Sequence, residues 1–250
     1  MKILLTNDDG VYSKGIEALY LALSEEHEVT VVAPETEQSA VGHAITWVSP
    51  LRIKTVNRNG HYFGYALNGT PADCVKIAVN ELMDPPPEIV VSGINLGANV
   101  GVNVIYSGTV SAATEAAVLG VPSIAVSIDS FTPLTFSGAT EFIPKLVIMV
   151  GKEGLPRGVC LNVNVPDLPA DQIRGIRVTR QGNLKCIEKY DRRIDPRNNV
   201  YYWLANESIQ QDESPDADSC ALAKGYISVT PIHHDLTNYP MLEKLSGWRL

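Results

Sequence analysis

Apolar residues along the first two-thirds of the chain follow two alternating patterns. Short strand-like runs occupy residues 2–6, 28–33, 89–91, 123–127 and 160–165, and several contain continuous apolar stretches such as VVA and IVV. Between them lie segments whose apolar residues recur every three or four positions, at 15–26, 71–82, 109–119 and 142–150. Continuous apolar runs are typical of parallel strands that helices cover on both faces. The alternation predicts an α/β fold with a doubly wound, Rossmann-like and mostly parallel sheet.

The hydrophobic pattern changes after about Asp167. Helical periodicity fades there, and short β-like runs occupy residues 176–179, 201–204 and 226–229. We therefore predict an α/β core over residues 1–170, which carries the active site, and a β-rich C-terminal extension over residues 171–250. The YYWL run at 201–204 needs a covering surface, either in its own domain or on another subunit, because large exposed apolar patches mark interfaces.

Composition narrows the classes of partner. The chain has 20 basic and 28 acidic side chains, and its net charge of −8 argues against a nucleic-acid polymer as the main partner. No apolar run reaches the ~18 residues of a membrane helix, and the first run ends too soon for a signal peptide. The cysteines form no Cys-x-x-Cys pair, which favours free thiols in a reducing compartment. They are Cys74, Cys160, Cys186 and Cys220. We predict a cytoplasmic protein without a membrane partner.

Two adjacent carboxylates, Asp8 and Asp9, follow the first predicted strand in the sequence TNDDG. In doubly wound sheets, ligands bind at the carboxyl ends of the strands. Gly10 lets the backbone turn there, so that both side chains can face one point. Paired carboxylate oxygens suit Mg²⁺, Mn²⁺ or Ca²⁺. The alternative is a turn whose carboxylates only cap the following helix.

Two further loops at the same predicted sheet edge offer neutral oxygen ligands. Ser39 lies after the second predicted strand, where its hydroxyl can join the acidic pair, although a serine in a polar loop is more often a cap or solvated. Asn95 lies in the glycine-rich sequence SGINLGANVG, and its side-chain carbonyl can bind a metal. The alternative for this sequence is a flexible connection.

The start of the helix predicted at 109–119 has the features of an anion site. Ser107, Gly108 and Thr109 are small residues, so they leave backbone N–H groups open at the positive end of the helix dipole. Ordinary N-capping explains the same residues and does not conflict with phosphate binding. Together the four loops predict a cation site beside an anion site, an arrangement that suits hydrolysis of a phosphate ester.

The combination of MKILLTNDDG, PETEQSAVG, VVSGINLGANVG and YSGTVSAATEAAVLG resembles the SurE family of survival-protein nucleotidases. The sequence NGTPADCV also fits, and the resemblance is looser beyond about residue 170. It implies a SurE-like fold and a metal-dependent phosphomonoesterase. The implied activity is 5′-nucleotidase activity on nucleoside monophosphates, often with activity on 3′-monophosphates and other phosphate esters.

The resemblance also implies the ligands and the site residues. One divalent cation per subunit, Mg²⁺ or Mn²⁺, or Ca²⁺ in a crystal, would be bound by Asp8, Asp9, Ser39 and Asn95. The phosphate contacts would come from Asn95, Ser107, Gly108 and Thr109, and the catalytic residues would be Asp8 and Asp9. Family members form dimers or tetramers by exchanging C-terminal segments, so we expect a homo-oligomer of this kind.

For the reaction, we expect a metal-bound water to attack phosphorus while Asp8 assists its deprotonation. Attack by Asp8 itself, to form an aspartyl-phosphate, is the alternative. A phosphatase of the haloacid-dehalogenase type would need Asp-x-Asp, and here the acidic residues are adjacent. A non-enzymatic anion-binding module, or a structural oligomer whose acidic pair only caps a helix, would also be compatible with individual loops.

Overall fold

The computed structural model describes residues 1–183, 185–210 and 212–248, with the side chains of all of these except 185–188 and 206–210. In chain order the strands are β1 Lys2–Thr6, β2 Glu28–Pro34, β3 Ile53–Arg58, β4 His61–Leu67, β5 Ile89–Leu96, β6 Ser123–Ile128, β7 Val159–Val165, β8 Ile176–Val178, β9 Lys185–Ile194, β10 Val200–Gln210 and β11 Ile227–His233. The α-helices are α1 Lys14–Ser24, α2 Pro71–Ile77, α3 Asn103–Tyr106, α4 Gly108–Val118, α5 Ser137–Glu153, α6 Asp218–Ala223 and α7 Tyr239–Ser246.

Nine of these strands form one sheet, in the order β3-β4-β2-β1-β5-β6-β7-β11-β8. The six strands from β4 to β7 in this order run parallel, whereas β3 and β11 are antiparallel to β4 and β7. The predicted mostly parallel α/β sheet is therefore confirmed. After β1 the chain adds β2 on one side and later β5 on the other, so the strand order reverses between β1 and β5. Such a reversal opens a crevice at the carboxyl ends of the strands.

The central strands are apolar at successive positions because helices cover both faces of the sheet. Ile3 and Leu5 of β1 belong to a core cluster that includes side chains of α1 and α5. Leu4, between them, belongs to a second cluster with side chains of α2 and α4. All three are fully buried, and each contributes roughly 1.5–3 kcal/mol by leaving water. Burial on both faces holds β1 firmly, and the acidic pair follows directly after it.

Helix α2 begins with the capping arrangement that its sequence predicts. The Thr70 hydroxyl accepts the Asp73 N–H at 3.1 Å, and the Asp73 carboxylate accepts the Thr70 N–H at 2.9 Å. Pro71 occupies the first helical turn, where a missing N–H does no harm. The predicted single helix over 71–82 is interrupted, because the α-helix ends at Ile77 and a π-helical turn, Ala78–Leu82, follows.

The β3–β4 hairpin is absent from the predicted elements. Its turn is Asn59-Gly60, with φ values of 51° and 80°. A two-residue hairpin turn with both residues in the left-handed region favours this dipeptide, so the turn itself was a usable sequence signal. Most of β3 is exposed at the edge of the sheet, and therefore lacks the continuous apolar run of the central strands.

The region after residue 170 contributes to two sheets. Strands β8 and β11 join the central sheet, whereas β9 and β10 pair only with each other as a separate antiparallel hairpin. The expectation that helices end before this region is wrong, since α6 and α7 lie within it. They have six and eight residues, which is too short for a clear helical period. The boundary between a core at 1–170 and an extension at 171–250 stays a prediction.

Three of the four cysteines, Cys74, Cys160 and Cys220, are buried free thiols, as predicted. The side chain of Cys186 lies outside the described residues. No helix in the described ranges combines the length and the apolar character needed to cross a membrane.

Candidate active site

Loops from four parts of the chain meet at the carboxyl ends of β1 and β5. A cavity of about 210 Å³ is lined by Asp8, Ser39, Asn95 and Ser107, among others. A neighbouring cavity of about 650 Å³ is lined by Asp9 and again by Ser39. The structure therefore brings together the residues that the sequence singled out, at the point where the strand order reverses.

The turn after β1 directs both aspartates toward this edge. Gly10 has a φ of 91°, a backbone conformation that residues other than glycine rarely adopt. The amide of Asn7 donates to the Gly10 carbonyl at 3.0 Å and to the Ser13 hydroxyl at 2.8 Å. The Val11 N–H donates to the Pro34 carbonyl at 2.9 Å, which fixes the turn against the end of β2. These hydrogen bonds set the direction of the carboxylates before any ligand is present.

Asp8 is 5% exposed and lies against the start of α4. Its Oδ1 accepts a hydrogen bond from the Thr109 hydroxyl. A Cβ added at Gly108 would lie only 2.8 Å from the Asp8 Cβ, so the glycine is required for this close approach. Burial raises the pKa of Asp8, and the Thr109 hydrogen bond only partly offsets that effect.

Asp9 is half-buried next to Asp8. Its Oδ2 accepts a long hydrogen bond of 3.4 Å from the Leu96 N–H, which joins it to the end of β5. Burial and the negative charge of Asp8 raise the pKa of Asp9 to about 7. Within residues 1–183, 185–210 and 212–248, neither aspartate forms an ion pair with a basic side chain. A bound cation would therefore stabilise the ionised pair.

Asn95 lies within β5 and not in a loop. The predicted loop begins at Ser92, but the strand continues to Leu96, with an irregular register between Ser92 and Asn95. The sequence obscured this extension because polar and glycine residues interrupt the apolar run. The Asn95 amide nitrogen donates to the Gly97 carbonyl at 2.7 Å, which leaves its side-chain oxygen as the atom that can bind a cation.

Ser39 lies in the exposed loop after β2. The Gln38 N–H donates to the Asp8 carbonyl at 2.8 Å, so the loop is joined to the acidic turn next to Ser39. The Ser39 hydroxyl donates to a Glu37 carboxylate oxygen at 2.5 Å and retains lone pairs for a metal.

These four side chains fit a divalent cation by their chemistry. Two carboxylates, a hydroxyl and an amide carbonyl are hard oxygen ligands, as Mg²⁺ and Mn²⁺ prefer. In the described part of the chain, no three His, Cys, Asp or Glu residues cluster in a way that could hold a metal. A site with two carboxylates therefore depends on the neutral oxygens of Ser39 and Asn95.

The start of α4 is already partly engaged. The Ser107 hydroxyl caps the helix by accepting the Val110 N–H at 3.1 Å, as ordinary capping predicts. Thr109 is fully buried, and its hydroxyl donates a hydrogen bond to the Asp8 carboxylate. Ser107 lines the smaller cavity. The predicted phosphate contacts of Ser107, Gly108 and Thr109 stay predictions, and in this geometry the Thr109 hydroxyl supports the carboxylate.

A network of buried hydrogen bonds holds the glycine-rich segment around Asn99, and the sequence analysis did not identify this network. The Asn99 N–H donates to the Asn164 side-chain oxygen at 2.8 Å, and the Asn99 amide donates to the Ser127 hydroxyl at 2.8 Å. The Asn99 carbonyl accepts from Asn162 and Asn164 at 2.8 and 3.1 Å. The two asparagines that alternate with apolar residues in β7 were the available sequence signal. Both asparagines line the smaller cavity, but the Asn99 amide is engaged in this network, whereas the Asn95 side-chain oxygen is the atom that can bind a cation.

A second missed group joins the Ser39 loop to α4. The Glu115 side chain, 7% exposed, contacts His43 Nε2 at 2.7 Å and Lys76 Nζ at 3.0 Å. His43 belongs to the loop that carries Ser39, and Glu115 belongs to the helix that begins beside Asp8. The Gly42 N–H also donates to the Tyr106 carbonyl at 3.0 Å. These contacts connect the loop of Ser39, a predicted metal ligand, with α4, the helix predicted to bind phosphate.

Comparisons with known proteins found one family with a similar sequence and a similar structure. The profile of the family described as Survival protein SurE matches residues 3–188. A protein of Syntrophobacter fumaroxidans named 5′-nucleotidase SurE is 74% identical over the whole of both chains. A protein of the same name from Syntrophus aciditrophicus is 52% identical, over 99% of this chain and 93% of its own. The crystal structure of the SurE protein from Aquifex aeolicus superposes with a TM-score of 0.85, at 40% identity over 98% of each chain. This chain belongs to the SurE family.

Proposed function

We propose that this protein is a divalent-cation-dependent phosphomonoesterase that hydrolyses nucleoside 5′-monophosphates, and also 3′-monophosphates, to nucleoside and phosphate. The observation that carries the proposal is the pair of carboxylates, Asp8 and Asp9, without a basic partner among the described residues, beside Asn95 and a small cavity. The two relatives named 5′-nucleotidase SurE support the nucleotide as substrate.

Asp8, Asp9, Ser39 and Asn95 would hold one Mg²⁺ or Mn²⁺ per subunit, or Ca²⁺ in a crystal. Bound there, such a cation would withdraw charge from the phosphoryl oxygens and orient the ester. The raised pKa values of both aspartates support this assignment, because a pair of carboxylates that resists ionisation alone is stabilised by a positive charge.

The remaining groups orient the ester and move the proton. Ser107 and the backbone of Gly108 and Thr109 would hold phosphoryl oxygens at the start of α4, together with Asn95. Asp8 Oδ1 is engaged by Thr109, so Oδ2 is the atom that would accept a proton from the attacking water. Trapping an aspartyl-phosphate would replace this route by direct attack from Asp8.

We also propose that the protein is a cytoplasmic homodimer or homotetramer that exchanges C-terminal segments. The exposed apolar side chains of the β9–β10 hairpin support the assembly. The buried free thiols support a reducing compartment.

The direct test is phosphate release from nucleoside 5′- and 3′-monophosphates after stripping with EDTA, with Mg²⁺, Mn²⁺ or Ca²⁺ added back. We expect activity to depend on the added cation. Asp8→Asn should lower kcat by about a hundredfold or more with little loss of stability. Asp171→Asn, which changes an exposed carboxylate elsewhere, is the matched control. Undiminished turnover by Asp8→Asn, or full activity of the stripped enzyme, would refute the proposal.

A further inference from the structure

Phe131 is an exposed aromatic residue at the boundary between the two cavities. It follows β6, in the segment that leads to α5, and its side chain is 81% exposed. Phe131 lines the smaller cavity together with Asp8 and Asn95, and it lines the larger cavity together with Asp9. A large apolar ring that is so exposed at the edge of both cavities is free to contact a ligand there.

Hydrogen bonds hold the segment that carries the ring. The Gly97 N–H lies 3.0 Å from the Ile128 carbonyl and 3.1 Å from the Ser130 carbonyl, and donates to both. Beyond the ring, the Leu134 N–H donates to Asp167 Oδ1 at 3.0 Å. Phe131 is therefore presented from a segment that is fixed on both sides.

The ring packs directly on the backbone that orients a predicted metal ligand. A Cβ added at Gly97 would lie 2.8 Å from Phe131 Cε1, so the ring approaches as closely as only glycine allows. The carbonyl of the same glycine accepts the Asn95 amide at 2.7 Å. Asn95, Gly97 and Phe131 thus form one unit, with the ligand oxygen on one side and the aromatic ring on the other.

The two cavities differ in size and lining. The smaller, of about 210 Å³, is lined by Ser107 and by three of the four predicted ligands, Asp8, Ser39 and Asn95, and its volume suits a phosphoryl group with a cation. The larger, of about 650 Å³, lies within the range of small-molecule sites, roughly 300–1,000 Å³. Its wall combines apolar side chains with hydroxyl and charged ones: Leu96, Pro133 and Phe136, then Ser13, Ser39 and Thr132, then Asp9, Lys14 and Glu37. This mixture matches the planar base and hydroxylated sugar of a nucleoside.

We propose that Phe131 is the stacking wall for the base of the substrate, and that it selects phosphate esters with an aromatic nucleoside over simple alkyl phosphates. The inference rests on the proposed function, since it places the phosphoryl end in the smaller cavity. Stacking is tolerant of base identity, because every base has a π-face. The enzyme therefore accepts both purine and pyrimidine monophosphates.

The test compares Phe131→Ala with the conservative Phe131→Tyr, using AMP, CMP and glycerol 2-phosphate as substrates. Phe131→Ala should raise KM for both nucleotides by about 5- to 20-fold, leave kcat within roughly twofold, and leave KM for glycerol 2-phosphate unchanged. Phe131→Tyr should restore the nucleotide KM. Trp47→Ala is the matched control, because Trp47 is 87% exposed and lies outside the lining of both cavities.

Three outcomes would overturn the inference. Equal effects on nucleotide and glycerol 2-phosphate would show that the ring only positions Gly97 and Asn95. No effect on any substrate would show that the ring contacts solvent alone, and a change of assembly mass without a change in KM would make it a subunit contact. Adenosine binding, measured by saturation-transfer NMR, separates this inference from the proposed function. A protein that binds adenosine through Phe131 but hydrolyses no ester would fail only the latter.

Discussion

At the candidate active site, polar side chains are buried, and their hydrogen-bond partners lie in the same chain. The β9–β10 hairpin, in contrast, exposes apolar side chains to solvent. Asp8 and Asn99 are 5% and 7% exposed, and each has partners far away in the sequence. Tyr202 and Trp203 are 58% and 60% exposed. Buried polar groups are stable only when paired, and exposed apolar groups gain by association. The geometry of the site is therefore set within one chain, while we expect the hairpin to be covered by another surface.

The largest effect is expected where the start of α4 packs against Asp8. Gly108→Ala would place a Cβ 2.8 Å from the Asp8 Cβ and 3.2 Å from Pro71 Cγ. Asp8 must then move away from the Thr109 hydroxyl and from the predicted cation. A shift of about 1 Å at a catalytic group lowers turnover by about a hundredfold, and we expect at least that loss in kcat/KM. Steady-state hydrolysis of AMP is the measurement.

Gly60→Ala is the matched control for this substitution. It also replaces a glycine with alanine, at a φ of 80°, but nothing lies within 4 Å of the new Cβ. We expect a loss of stability of about 1 kcal/mol from backbone strain and unchanged kcat/KM. If Gly108→Ala retained full activity, close packing would not be what fixes Asp8.

The second effect concerns the connection between the Ser39 loop and α4. Glu115→Gln removes the charge that His43 and Lys76 contact, and we expect the free energy of unfolding to fall by about 1–2 kcal/mol. The value is at the low end for a buried ion pair because the side chains of His43 and Lys76 are 37% and 42% exposed. Glu153 forms an exposed ion pair with Lys152, so Glu153→Gln should change the free energy of unfolding by less than about 0.5 kcal/mol.

This difference should depend on pH. Burial raises the pKa of Glu115, but hydrogen bonds from His43 and Lys76 outweigh burial and hold it below the ordinary value of 4.5. A carboxyl with a lowered folded-state pKa stabilises the protein above 4.5 and loses that contribution as pH falls through the folded value. Urea unfolding at about pH 5.5 and about pH 3.5 should show the gap between wild type and Glu115→Gln shrinking in acid. A constant gap would show that the charge of Glu115 does not matter.

The same contrast explains which features the sequence predicted. A continuous apolar run such as that at residues 2–6 indicates a strand that is buried on both faces, so the local sequence predicts the central strands. It also predicts that Asp8 and Asp9 lie at the end of such a strand. The place of β11 beside β7 depends on pairing between distant strands, which no local period records. Likewise β3 is an edge strand whose residues are mostly exposed, so only its Asn59-Gly60 turn carried information.

Within the site, residue types were predictable but their partners were not. Two adjacent carboxylates near an asparagine and a serine indicate a hard cation, whatever the exact geometry. The hydrogen bond from Thr109 to Asp8 joins residues 101 positions apart, and the contact of His43 with Glu115 joins residues 72 apart. Such contacts follow from tertiary packing. For this reason Thr109 was expected to contact phosphate, and Glu115 was not singled out.

The smallest effect on the stability of the isolated subunit is expected in the hairpin. Trp203→Ser removes a side chain that is 60% exposed, so the free energy of unfolding at high dilution should change by less than about 0.5 kcal/mol. Sedimentation should nevertheless show a smaller assembly, and the melting temperature should lose its dependence on protein concentration. Trp47→Ser, at an 87% exposed tryptophan outside the hairpin, should leave both properties unchanged. If Trp203→Ser destabilised the dilute subunit by several kcal/mol without altering its mass, the hairpin would pack on its own chain, and the contrast between the two regions would be wrong.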